Sequence, residues 1–61
     1  MKLRSEKVVG IKVVNISEES NEAIEKMAND SIAHIYEKNL KILDIQVTDD
    51  NLFFILGENK D

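Results

Sequence analysis

Cysteine and proline are both absent from this chain of 61 residues, and glycine occurs only twice. The absence of cysteine excludes disulfides, thiolate nucleophiles and cysteine-based zinc sites. With Gly10 and Gly57 as its only glycines, the chain cannot build a glycine-rich loop that cradles phosphates. We therefore predict a protein that is not an enzyme and has no catalytic residues, no metal site and no cofactor.

Long apolar runs are missing as well. No segment approaches the roughly 20 apolar residues that a membrane-spanning helix needs. The charged start, Met1-Lys2-Leu3-Arg4, is not followed by the apolar region of a secretory signal. A chain without cysteine also suits a reducing compartment. These features predict a soluble, cytoplasmic protein with no membrane partner.

The chain is short for a stable fold. Its 61 residues allow one domain, which we place at residues 1–61. A domain of this size buries only about 60% of the surface of its unfolded chain. Such domains usually gain stability from disulfides, a metal or a second subunit. Without cysteine and with one histidine, this chain has only a second subunit as a source of added stability. We predict a homo-oligomer.

Hydrophobic periodicity predicts the element order β-α-β-β. Strand-like alternation occurs near both ends of the chain, and apolar residues at steps of three and four occur between them. Ser17 is a candidate N-cap for the helix, and Asn39 is a candidate left-handed residue at its end. The predicted elements are a strand at residues 7–16, a helix from Ser17 to about Lys38, and strands at residues 40–47 and 52–56.

The last strand decides the predicted topology. Its even-numbered side chains, such as Phe54, are apolar, and so are Phe53 and Ile55 on the opposite face. A strand that is apolar on both faces belongs in the middle of a sheet. We predict an α/β protein of the two-layer α+β type, a split β-α-β with the third strand central and one long helix on one face. The uncovered face is predicted to be the subunit interface, formed by Val8, Val14, Ile42, Phe53 and Ile55.

Charge is distributed unevenly along the chain, whose net charge is −4. This net charge argues against nucleic acid as a partner. The first 12 residues nevertheless hold four basic side chains against one acidic side chain. This segment is either the solvated start of a strand or a strip that binds a small anion through Arg4, Lys7 and Lys12.

His34 is the only histidine. With Asp30 one turn before it and Glu37 nearly one turn after it, it could belong to an acid–base pair or to half of a metal site. No nucleophile accompanies it, so we favour a solvated helical face with weak ion pairs.

A resemblance to a known family covers roughly residues 11–56. It is carried by Val14-Asn15-Ile16-Ser17-Glu18-Glu19-Ser20, then Ile24 and Asn29, and then Ile42-Leu43-Asp44-Ile45-Gln46-Val47. These segments resemble small sporulation-associated proteins, about 60 residues long, of Gram-positive bacteria and their phages. Ser20, Ile16 and Val47 stand where that family has His, an aromatic residue and Tyr. The resemblance implies a fold and a setting, in a bacterium or a phage-infected cell, rather than a reaction.

Together these observations predict a small oligomeric binding protein. Our leading hypothesis is that it sequesters a small anionic nucleotide signal and so acts as a phage anti-defence protein. The alternative is an inhibitor that docks an acidic helix face onto a basic host protein. That face would consist of Glu18, Glu22, Glu25 and Asp30.

Overall fold

One helix packs against one face of a three-stranded antiparallel sheet in the computed structural model, which describes residues 7–59. The sheet order is β1-β3-β2, so both outer strands pair antiparallel with the central strand. The predicted α+β fold with the element order β-α-β-β and a central third strand is confirmed. The elements are β1 (Gly10–Asn15), α1 (Asn21–Glu37), β2 (Leu40–Val47) and β3 (Asn51–Glu58).

The hydrophobic core lies between β3 and α1. Phe54 is completely buried at the centre, with Leu52 and Leu56 buried on either side of it along the strand. Ile35 from the helix and Ile16 beyond the end of β1 complete the buried cluster. Each large apolar side chain removed from water in this way contributes roughly 1.5–3 kcal/mol. The even-numbered side chains of β3 therefore hold the helix onto the sheet.

The helix begins three residues later than predicted, because the chain turns before it. Glu18 has φ of 65°, a left-handed conformation that interrupts helical geometry. The Ser17 hydroxyl donates to Asn15 Oδ1 at 3.2 Å and does not cap the helix. Ser20 is the N-cap instead, and its Oγ accepts a hydrogen bond from the Ala23 backbone N–H at 3.1 Å. The prediction of Ser17 as the cap is therefore wrong.

The end of the helix follows the prediction. Asn39, directly after the C-cap residue Lys38, has φ of 65°, so the predicted left-handed residue is confirmed. The Asn39 N–H donates to the Tyr36 carbonyl at 3.1 Å, and the Lys38 N–H lies 3.1 Å from the Ile35 carbonyl. These bonds satisfy carbonyl groups that the end of a helix leaves free. The chain then enters β2 at once.

A β-bulge in β2 changes which side chains face the helix. Ile42 pairs with Leu56 while Asp44 pairs with Ile55, which leaves Leu43 as the extra residue. Ile42, Ile45 and Val47 therefore lie on the helix side of the sheet. Ile42 packs against the core. The bulge keeps the Asp44 carboxylate out of the core, where it would be costly to bury. Our prediction that Ile42 lies on the uncovered face is therefore wrong.

The face of the sheet opposite the helix carries a compact apolar patch. Ile11 pairs directly with Ile55, and Val13 pairs with Phe53. Leu43 also lies on this side, because its side-chain carbons are 3.0–3.1 Å from the position a Cβ on Gly57 would occupy. We call this patch the free face, and it consists of Ile11, Val13, Leu43, Phe53 and Ile55.

Two further predicted interface residues lie elsewhere. Val14 pairs with Leu52 and packs against the core, so its assignment to the uncovered face is wrong. The cause is strand alternation, since Val14 has the opposite parity to Val13 in a regular pairing. Val8 precedes β1 and is exposed. Phe53 and Ile55 lie on the uncovered face as predicted, with Ile11 and Val13 as their neighbours.

Candidate functional site

A cleft open to solvent lies on the helix side of the sheet, between β1 and the C-terminal end of α1. Its volume is about 400 Å³. Its polar lining residues are Lys12, His34 and Lys38. The remaining lining residues are apolar. Ile35, Leu40 and Leu56 lie on the helix side of the sheet, whereas Ile11 and Val13 also belong to the free face and reach the cleft along the edge strand β1.

Strand alternation places Lys12 in this cleft. Lys12 pairs with Phe54, so its side chain lies on the same side of the sheet as the helix. The helix lies closest to β2, at the far edge of the sheet, and leaves space above β1. Gly10, which pairs with Leu56, adds no side chain to this space. A lysine can therefore occupy the helix side of the sheet and stay exposed.

Helical spacing places the other two polar side chains. His34 and Lys38 are four residues apart, so they are neighbours on one face of the helix at its C-terminal end. Cations are favoured at this end, because the helix dipole is negative there. Ile35, almost completely buried, anchors the same turn of the helix in the core. The backbone positions of both residues are thus held by a well-packed turn.

The electrostatics of the cleft differ from those of the whole chain. No carboxylate is among its lining residues, although the chain carries 12 acidic side chains against eight basic ones. Within residues 7–59, the side chains of Lys12, His34 and Lys38 have no ion-pair or hydrogen-bond partner. Their donors are therefore available to a ligand. The arrangement suits a small anion with an apolar portion that can lie on the cleft floor.

The three residues predicted to bind an anion have different outcomes. Lys12 lies in the cleft. Lys7 is exposed ahead of β1 and is not among the lining residues. Arg4 lies outside the described residues. Of the three, Lys12 alone lines the cleft among the described residues, beside His34 and Lys38 of the helical segment.

His34 and Lys38 were not predicted to bind a ligand. His34 is exposed, as expected for a solvated helical face, but it also lines the cleft with Lys12. The sequence signal was available in the four-residue spacing of the two side chains. Their proximity to Lys12 depends on the tilt of the helix across the sheet, which the sequence pattern does not specify.

The remaining predicted polar groups do not form a site among the described residues. Asp30 pairs with Lys26 at 3.1 Å rather than with His34. Residues 7–59 contain no group of three side chains able to hold a metal ion. The described helix is neither long enough nor apolar enough to cross a membrane.

Comparison with known proteins found no matching family model, no similar curated protein and no similar solved structure. We therefore infer function from the cleft itself.

Proposed function

We propose that this protein is a non-enzymatic binding protein that sequesters a small anionic ligand of the nucleotide class in the cleft between β1 and α1. The observation that carries the proposal is the convergence of Lys12, His34 and Lys38 on a cleft whose lining contains no carboxylate. The setting suggested by the family resemblance is a bacterium or a phage-infected cell. Removal of a signalling nucleotide there would suppress a defence response.

The size of the cleft supports a small ligand. Its volume of about 400 Å³ is at the lower end of the range for small-molecule pockets, which run from roughly 300 to 1,000 Å³. Two ammonium groups can each donate charge-assisted hydrogen bonds to phosphate oxygens. Ile35, Leu40 and Leu56 offer an apolar surface to a base or sugar. A phosphate group joined to a flat, weakly polar body matches both parts of the lining.

The chemistry of the lining supports binding rather than turnover. Its polar side chains are two amines and one imidazole, and none of the lining residues carries a hydroxyl, a thiol or a carboxylate. A nucleophile–base pair within hydrogen-bond reach is the usual requirement for covalent catalysis. The cleft therefore supports retention of a ligand without conversion.

Isothermal titration calorimetry tests the proposal. The titrants are inorganic phosphate, adenosine monophosphate, adenosine diphosphate and a cyclic dinucleotide. We expect heat with at least one nucleotide and weaker binding to Lys12→Ala and to Lys38→Ala. A charge-assisted hydrogen bond contributes about 1.5–3 kcal/mol, which corresponds to a roughly ten- to hundredfold loss of affinity. The loss should shrink in high salt, because the cleft is open to water.

Lys26→Ala is the matched control. It removes the same charge from the same domain, but Lys26 lies outside the cleft and is paired with Asp30. We expect it to bind as the unmodified protein does. Absence of heat with every titrant, or equal affinity for Lys12→Ala and the control, would contradict the proposal. Loss of a host-protein complex in Glu22→Gln and Glu25→Gln would then support the alternative, an inhibitor acting through its acidic helix.

A further inference from the structure

His34 is the one polar residue lining the cleft whose residue type changes charge near neutral pH. Lysine side chains ordinarily lose their proton only near about pH 10, whereas histidine changes its charge between about pH 5 and pH 8. His34 lines the cleft together with Lys12 and Lys38, and it is the only histidine of the chain. The charge of this lining therefore depends on whether the imidazole carries a second proton.

The imidazole of His34 is accessible to a ligand and to solvent. The residue is exposed, and its side chain has no hydrogen-bond or ion-pair partner within residues 7–59. A neutral imidazole has one N–H donor and one acceptor nitrogen, whereas the protonated form has two donors and a positive charge. Protonation therefore adds a donor and a charge to a lining that already holds two lysine side chains.

The strands beside this end of the helix contribute no carboxylate to the cleft. Lys12 of β1 is the charged residue that they contribute, since Leu40 of β2 and Leu56 of β3 are apolar. Glu58 lies on the helix side of β3, because it pairs with Leu40, but it is not among the lining residues. Within the described residues, the strands thus offer His34 no anionic partner in the cleft.

The carboxylates near His34 on its own helix do not line the cleft either. Asp30, four residues before His34, has its carboxylate 3.1 Å from Lys26 Nζ. Glu37, three residues after His34, is exposed and is not among the lining residues. A bound phosphate would therefore be the anion that a protonated His34 meets in the cleft. An opposite charge within about 4–6 Å favours the protonated form of an imidazole.

We infer that binding of a nucleotide in this cleft takes up a proton on His34, so that the affinity rises as the pH falls from about 8 to about 6.5. This coupling rests on the proposed function, since it requires an anionic ligand in the cleft. The effect is reciprocal: a ligand that favours the proton is itself bound more tightly when the proton is present. A charge-assisted hydrogen bond is roughly twice as strong as a neutral one, which corresponds to a gain in affinity of about three- to tenfold.

Calorimetric titrations with adenosine diphosphate at about pH 8, 7 and 6.5 test the coupling. His34→Gln keeps a polar side chain that cannot gain a proton, and His34→Lys carries a positive charge throughout this range. The phosphate itself gains a proton near about pH 6, and both variants report that contribution without the histidine. We expect the affinity of the unmodified protein to rise about three- to tenfold more over this range than the affinity of either variant.

A second measurement does not depend on how the variants fold. The imidazole C–H signals of the single histidine are followed by nuclear magnetic resonance during a pH titration of the unmodified protein. With saturating adenosine diphosphate, the midpoint of this titration should lie at a higher pH than without it. An unchanged midpoint, or the same pH dependence of affinity in all three proteins, would overturn the coupling and leave nucleotide binding standing. Absence of binding by every nucleotide would instead contradict the proposed function, and the coupling with it.

Discussion

The packing of Leu43 over Gly57 predicts that Gly57→Ala changes the stability of the protein in opposite directions with and without the Leu43 side chain. Gly57 is buried in the central strand, and an added Cβ would lie 3.0–3.1 Å from three carbon atoms of the Leu43 side chain. We expect Gly57→Ala to destabilise the unmodified protein and to stabilise the Leu43→Ala variant. The comparison forms a double-mutant cycle across the bulge.

The magnitudes follow from the geometry. Carbon atoms in favourable contact are about 3.5–4.0 Å apart, so the Leu43 side chain must move by roughly half an ångström to admit the new Cβ. Overpacking of this kind costs about 1–3 kcal/mol. Replacing glycine within a strand raises the free energy of unfolding by roughly 0.5–1 kcal/mol, because the unfolded chain has lower conformational entropy. The net effect is a loss of about 1 kcal/mol with Leu43 present and a gain of about 0.5–1 kcal/mol without it.

Urea denaturation followed by circular dichroism measures the four free energies of unfolding. One protein concentration must be used throughout, so that any self-association affects all four proteins at the same concentration. The expected coupling of about 1.5–2 kcal/mol exceeds the roughly 0.3–0.5 kcal/mol within which independent substitutions add. Additive effects would show that Leu43 does not lie over Gly57, and the bulge at Leu43 would then be wrong.

Two further predictions concern the ends of the helix. Ser20→Ala should lower the free energy of unfolding by about 1 kcal/mol, because it removes the N-cap hydrogen bond. Ser17→Ala should change the free energy of unfolding by less than half as much. Equal effects of the two substitutions in thermal unfolding would contradict the assignment of Ser20 as the cap. Asn39→Ala should cost about 1 kcal/mol because of its left-handed backbone, and Asn39→Gly should be neutral or stabilising. If chemical denaturation finds the glycine variant less stable than the alanine variant, the left-handed conformation is absent.

Much of the fold could be predicted, because several local signals agree. The apolar character of β3 on both faces indicates a central strand, and the structure has it between β1 and β2. The polar residue Asn39 at the end of the periodic segment indicates a left-handed helix terminus, which the structure also has. These features depend on short-range patterns that a sequence records directly.

Two of the errors in the prediction, at β2 and at the start of the helix, have a common physical origin. A bulge at Leu43 reverses the facing of every later residue of β2, and a left-handed turn at Glu18 delays the helix. Each is a one-residue irregularity stabilised by the tertiary structure. In β2 the decisive factor is that regular alternation after Ile42 would place the Asp44 carboxylate under the helix. Periodicity alone assumes regular strands and helices, so it cannot locate such irregularities.

The candidate site was only partly predictable. Lys12 was identified from the basic start of the chain, whereas Lys38 was considered only as the end of the helix. Residues 12 and 38 meet because the helix lies nearer to β2 than to β1 and leaves a cleft above Lys12. That placement is a property of the packed domain. A single sequence offers no direct signal for it.

The proposed binding of an anionic nucleotide in the cleft between β1 and α1 can be located residue by residue in solution. The experiment is a titration of isotope-labelled protein with adenosine diphosphate, followed by amide chemical shifts. We predict saturable changes in the amide chemical shifts of Lys12, His34 and Lys38, with little change at Glu22 and Glu25 near the start of α1. Shift changes confined to Glu22, Glu25 and their neighbours would contradict the proposed site. The absence of any shift change up to millimolar concentrations of this and the other nucleotides would also contradict it.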